Sequence, residues 1–151
     1  MYRLDTVKKT EFPELLKVWE SSVRNTHHFL RDGDIEFFKN FIHENDVFAQ
    51  VNLVCARDGE DRIGGFIGTT GDSLEMLFID AALRGKGIGK LLLLHALTEL
   101  KISKVDVNEQ NQQAVGFYAH FGFITVSRSE VDGLGKPYPI LHMKLQETLR
   151  H

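Results

Sequence analysis

Leu74-Glu75-Met76-Leu77-Phe78-Ile79-Asp80-Ala81-Ala82-Leu83-Arg84-Gly85-Lys86-Gly87-Ile88-Gly89-Lys90 is the stretch that decides the fold. An apolar run reads as a strand. A tight basic turn follows, with glycine at alternate positions, and a leucine-rich helix runs from there through Leu91 to Leu100. Gly85, Gly87 and Gly89 leave the main chain bare where the helix begins. The first N–H groups of a helix have no intrahelical partner, and the helix dipole adds partial positive charge there. Such a start attracts anions. Arg84, Lys86 and Lys90 add full charges around it. The segment is therefore expected to grip a phosphate-bearing ligand at the end of a strand.

Two common phosphate motifs do not fit. A P-loop needs Gly-Lys followed by Ser or Thr, but Gly89-Lys90 is followed by Leu91, and Arg84 stands where the first glycine belongs. A dinucleotide fingerprint starting at Gly85 needs its third glycine one residue later than Gly89. What remains is R-x-x-G-x-G at Arg84, Gly87 and Gly89. On its own it is also compatible with an ordinary strand–turn–helix and a solvated basic corner.

A second segment narrows the choice. Val105-Asp106-Val107-Asn108 reads as a short strand, and Asn111 begins N-x-x-A-x-x-F-Y-x-x-x-G-F through Ala114, Phe117, Tyr118, Gly122 and Phe123. Asn111 suits a helix N-cap and Gly122 a helix stop. Ala114, Phe117 and Phe121 recur at helical spacing and share a face.

The two segments together, in this order, resemble the signatures of the GNAT (GCN5-related N-acetyltransferase) family. The wider pattern of Thr26-His27-x-Phe29-Leu30, Phe78-Ile79-Asp80, Asn108 to Asn111 and Asp132 to Pro139 resembles its bacterial YjaB-type subgroup, assigned to peptidyl-lysine or small-amine acetylation. The resemblance implies an acetyl-CoA-dependent N-acetyltransferase that passes the acetyl group directly to a primary amine in a ternary complex. It implies an α/β (α+β) fold: one mixed, strongly bent sheet of about seven strands with helices on both faces.

The resemblance also implies roles. Leu77, Phe78 and Ile79 present backbone groups to the pantetheine arm in a gap between splayed strands. Arg84, Gly85, Lys86, Gly87, Ile88, Gly89 and Lys90 hold the diphosphate. Asn111, Phe117 and Tyr118 complete the coenzyme site, and Tyr118 is expected to protonate the leaving thiolate. A lysine-like amine needs about 4.6 kcal/mol to be presented neutral at pH 7, so a base is useful. Glu75 is expected to be that base, on a face shared with Leu77 and Ile79 by strand alternation. Glu109 is the second candidate. Residues His27, His28, Phe29 and Tyr138 are expected at the acceptor site. Plain packing or surface roles stay open for each, and a non-catalytic acyl-CoA sensor would keep the same loop.

The rest of the chain fits the order β-α-α-β-β-β-α-β-α-β-β. Tyr2 to Val7 reads as a strand. Thr10 is expected to cap a helix bearing Phe12, Leu15, Leu16, Trp19 and Val23, and Asp34 one bearing Ile35, Phe38, Phe41 and Ile42. Asp46 to Ala56, Ile63 to Thr70, Gly122 to Val131 and Ile140 to Leu145 read as strands.

The 151 residues are expected to form a single domain, 1–151. The net charge of −3 does not support bulk nucleic-acid binding. No apolar run is long enough for a membrane span, and no compact Cys/His set suggests a metal. Cys55 is the lone cysteine and Met1 to Asp5 lacks a signal-peptide core, so a cytoplasmic setting is expected. Monomer and homodimer both remain open.

Overall fold

The computed structural model describes residues 1–146. Seven strands form one sheet in the order β1-β2-β3-β4-β5-β7-β6. They are β1 (Arg3–Asp5), β2 (Asn52–Arg57), β3 (Ile63–Thr70), β4 (Ser73–Ile79), β5 (Lys104–Asn108), β6 (Phe123–Ser129) and β7 (Ile140–Leu145). The helices are α1 (Phe12–Thr26), α2 (Asp34–Glu44), α3 (Ile88–Thr98) and α4 (Gln112–His120). Every strand pairing is antiparallel except β4 with β5. The element order is the one expected from sequence.

Two cores form, one on each face. Leu92, Leu93 and Ala96 of α3 pack with Ile67, Leu74, Val105, Val107, Met143 and Tyr118. On the other face Leu15, Val18, Trp19 and Val23 of α1 pack with Ile42, Phe48 and Phe66. Gly64 and Gly65 on β3 let the first turn of α3 lie close to the sheet. A Cβ on Gly65 would meet Ile88 Cγ2 at 2.9 Å and the Phe78 carbonyl oxygen at 3.1 Å. This pair therefore sets the depth at which the glycine turn docks.

Four local expectations change. Thr10 is not the cap of α1: Lys9–Glu11 forms a 3-10 turn, and Glu11 accepts from the Lys8 N–H (2.9 Å) just ahead of the helix. Asp34 is the first residue of α2, after Gly33 at φ +85°. Its carboxylate reaches back to the Arg31 N–H (3.2 Å) and takes the Tyr138 hydroxyl.

The strand expected from Asp46 starts only at Asn52. Asp46 turns at φ +49° and Val47–Gln50 forms a 3-10 turn, which drives Phe48 edge-on into Phe12 and Phe66. Packing of one aromatic ring outweighs the extended preference of the flanking residues. Finally, β4 does not alternate evenly. Its register with β3 shifts at Gly68/Thr69, with Met76 opposite Gly68 and Leu74 opposite Thr69. Glu75 is the extra residue, and bulges of this kind re-aim a side chain.

Arg57 ties the first strands together. Nearly buried, it binds Asp5 (2.7 Å), Glu11 (2.7 Å) and the Thr6 carbonyl (2.9 Å). Its guanidinium holds the Glu11 carboxyl down at about 2.

Candidate active site

The parallel partners β4 and β5 touch only at Ser73–Lys104 and Leu74–Val105. Beyond these pairs the strands separate, and the β5-facing edge of β4 from Glu75 to Ile79 has no strand beside it among the described residues. A cavity of about 480 Å³ occupies the gap. Its walls include the β4 edge, the glycine turn, the start of α3, β5 and α4.

The glycine turn has the expected backbone. Gly85 and Gly87 lie at φ +79° and +83°, a region in which a Cβ is strained. No side chain caps α3, and Leu91, the fourth residue of the helix, donates to the Gly87 carbonyl (3.0 Å). The N–H groups of Ile88, Gly89 and Lys90 precede that bond and have no intrahelical partner. All three residues line the cavity. Gly89 has no such backbone demand, and a Cβ there would make an ordinary contact with the Phe117 ring at 3.6 Å.

Arg84 is engaged. Its guanidinium donates to Asn25 Oδ1 on α1 (2.8 Å) and to Gln113 Oε1 on α4. It thereby straps the two walls together. Lys90 lines the cavity, whereas Lys86 is exposed and lies outside the lining.

Asn111 caps α4, its Oδ1 accepting from the Ala114 N–H at 3.2 Å, and Gly122 at φ +97° ends the turn after it. Tyr118 is the buried residue of α4, at 6% exposure. Its ring packs edge-on against Phe117 (5.5 Å) and Phe123 (5.8 Å). Burial raises the phenol above its ordinary value, so it is protonated at neutral pH. No hydrogen bond to the hydroxyl occurs among the described residues, yet these contain no fully buried polar side-chain atom without a partner. The hydroxyl therefore meets the cavity that Tyr118 lines.

Glu75 is the exposed, extra residue of the bulge and lines the cavity together with Leu77 and Ile79. Those two pack with the α3-side core, as Leu74 does; the step from Leu74 to Leu77 breaks the alternation assumed from sequence. Partial desolvation, and then the negative charge of Asp106, raise the Glu75 pKa above the usual carboxylate value. Glu109 is outside the lining, held by Arg128 at 2.9 and 3.0 Å and shifted downward in pKa by that contact.

The expected acceptor residues divide. His27 lines both this cavity and a second one of about 210 Å³ bounded by Trp19, Phe78 and Tyr138. Thr26 Oγ1 gives its proton to the Ser22 carbonyl (2.8 Å), so the 2.7 Å contact with His27 needs the proton on His27 Nδ1. Burial, then His28, pushes the His27 pKa down to about 4. His28 is exposed and lines neither cavity; Phe29 packs on His27 (5.2 Å) and Tyr138 (5.8 Å). Tyr138 lines the second cavity, but its hydroxyl is committed to Asp34 and the Arg31 N–H.

Sequence reasoning passed over Asp106, Asn25 and Gln113. Asp106 lay on the polar side of an alternating strand, the one signal that marks it; the other two become visible only when α1 and α4 are seen to flank Arg84.

The chain's relationships agree with this geometry. The acetyltransferase (GNAT) domain model matches residues 23–146. The chain is 41% identical over 143 residues to the peptidyl-lysine N-acetyltransferase YjaB of Salmonella typhimurium, covering 95% of this chain and 97% of that protein. It is also 41% identical to Escherichia coli YjaB, over 88% and 89% of the two chains. The solution structure of apo-form YjaB from Escherichia coli superposes with a TM-score of 0.86 at 37% identity, over 95% of this chain and 97% of the other.

Proposed function

The chain belongs to the GNAT acetyltransferase family, and on that premise we propose that it acetylates the side-chain amine of lysine in a protein, with acetyl-CoA as donor. The observation that carries this reading is the splayed β4–β5 gap ending at the bare amides of α3, with the Tyr118 hydroxyl, unpartnered among the described residues, in the same cavity. The fit to a coenzyme is supported by three features. The N–H groups of Ile88 to Lys90 suit a diphosphate. Leu77, Phe78 and Ile79 lie along an edge open to a strand-like arm. Gly87 at φ +83° lets the backbone approach without a Cβ.

Bound acetyl-CoA supplies the thioester acetyl group. The protein's own residues do the rest. Backbone donors and the helix start fix the coenzyme, and Lys90 adds positive charge. Glu75, with its raised pKa, takes a proton from the acceptor ammonium, directly or through water. Tyr118 holds a proton at Oη for the leaving sulfur. Placing amine and thioester together removes much of the entropic barrier. The lysine acceptor is carried over from the relatives' named activity, and the setting we assign is the cytoplasm, which suits the free, buried Cys55. No helix among the described residues is long and apolar enough to cross a membrane.

The test is acetyl-CoA turnover with lysine peptides and small amines, alongside calorimetric coenzyme binding. The double variant Arg84→Glu/Gly87→Asp is expected to lose coenzyme binding and all transfer while its core stays folded. Unaltered coenzyme affinity in that variant would overturn the assignment of the turn. Tight coenzyme binding with no transfer to any amine would overturn the enzyme reading and leave a sensor.

A further inference from the structure

A hydrogen-bonded row crosses three neighbouring strands on the sheet face opposite α3 and α4. Asp106 on β5 and His142 on β7 are direct cross-strand partners. Val105, Val107 and Met143 point to the α3-side core, so alternation puts Asp106 and His142 on the other face. Asp106 Oδ1 lies 2.7 Å from His142 Nδ1, and His142 Nε2 lies 2.7 Å from Ser129 Oγ on β6. The row meets the cavity through Asp106, which lines it together with Glu75.

We propose that Asp106, positioned by His142 and Ser129, is the counter-ion that receives the acceptor's ammonium group beside Glu75. Two independent observations support a ligand at this point. The carboxylates of β4 and β5 line one cavity at the place where their strands part. Tyr118, more than nine-tenths buried, brings a hydroxyl with no partner among the described residues to the same cavity from its α3 side.

The two carboxylates have different environments, which separates their tasks. The Asp106 carboxylate accepts from the His142 imidazole N–H, which holds it in one orientation. Glu75 has no hydrogen-bond partner among the described residues, and the charge of Asp106 helps hold its pKa up. Asp106 is therefore the carboxylate held in place to bind, and Glu75 the group assigned to exchange a proton. Other charges share this side of the strands: Lys104 and Lys144, two residues beyond Asp106 and His142. Lys104 pairs with Asp72 at 3.8 Å. They rim the row and favour an acceptor whose positive charge is a single amine rather than a basic tract. His142 acts through Asp106 and is a positioning residue.

The inference rests on the acetyltransferase reading and is tested separately from it. A lysine peptide with blocked ends and its norleucine isostere are titrated calorimetrically into the protein carrying coenzyme A, and steady-state kinetics follow lysine-peptide acetylation. Wild type is expected to bind lysine over norleucine. Asp106→Asn is expected to lose that preference and raise the acceptor KM about tenfold or more, with acetyl-CoA affinity unchanged. His142→Ala is expected to raise KM severalfold with little change in kcat, and His142→Asn, which restores a donor to Asp106, to recover most of it. An unchanged preference and KM in Asp106→Asn overturn the ammonium site alone. Failure of wild type to acetylate any amine overturns the enzyme reading and the site with it.

Discussion

Replacing Tyr118 by Phe removes one atom from the cavity wall. The ring is held by Phe117 and Phe123 and by the α3-side core, and Phe keeps those contacts. The lost hydroxyl has no hydrogen bond to give up among the described residues, so stability is expected to change by less than about 1 kcal/mol. The melting temperature should stay within a few degrees. The rate should behave otherwise. Burial keeps the phenol protonated across the neutral range, and this proton is the one assigned to the departing sulfur. Proton transfer by a positioned group contributes about 10²–10⁴-fold, or roughly 3–5 kcal/mol of barrier. The assay is release of free thiol from acetyl-CoA at saturating lysine peptide, with coenzyme affinity measured by calorimetry and folding by thermal melting. The expected variant melts like wild type, binds coenzyme like wild type and has kcat lowered at least a hundredfold. Wild-type kcat would refute the acid role. A loss of rate that tracks a loss of melting temperature would make Tyr118 a packing residue.

Three further outcomes are expected. Asn25→Ala/Gln113→Ala releases the Arg84 guanidinium from both partners; freeing it for phosphate should tighten coenzyme A binding by about two- to tenfold in calorimetric titration, and weaker binding would mean the strap pre-forms the site. His27 has a folded pKa of about 4 against an ordinary 6.5, so the unfolded chain binds the extra proton first as pH falls: its contribution is complete above about pH 6.5 and is lost toward pH 4, on the order of 3 kcal/mol. Urea midpoints in His27→Gln should accordingly fall less steeply over that window than in wild type. Arg57→Ala strands the Asp5 and Glu11 carboxylates; because both keep some contact with water, the cost should sit at the low end for a broken ion pair, about 3 kcal/mol, read as a lower urea midpoint at pH 7.

What sequence made legible is local in the chain. The amides of the glycine turn follow from glycines at fixed spacing and a helix beginning behind them. The cap at Asn111 and the stop at Gly122 lie within one helix of Tyr118. What it concealed depends on distant pairing. The partnership of Asp106 with His142 is set by the β5–β7 register, and that of His142 with Ser129 by a further strand and its own register shift; no single segment contains it. The bulge at Glu75 is a property of β3 and β4 together, so counting along β4 alone could not place an extra residue there. Tyr138 looked like a loop residue at the acceptor mouth, but Asp34, 104 positions away, claims its hydroxyl. The early apolar run after Asp46 carried a strand-like composition, and only the place of Phe48 between Phe12 and Phe66 turns it into a 3-10 turn.

The central claim is that one cavity unites diphosphate donors, a protonated Tyr118 and two carboxylates around a single reacting centre. A crystal structure with acetyl-CoA and a lysine peptide tests it most directly. The expected density has the diphosphate on the amides following Gly87, the pantetheine arm along Leu77 to Ile79, the sulfur within hydrogen-bond reach of Tyr118 Oη, and the lysine nitrogen between Glu75 and Asp106. Coenzyme bound with its diphosphate away from that turn, or its sulfur turned from Tyr118, would contradict it.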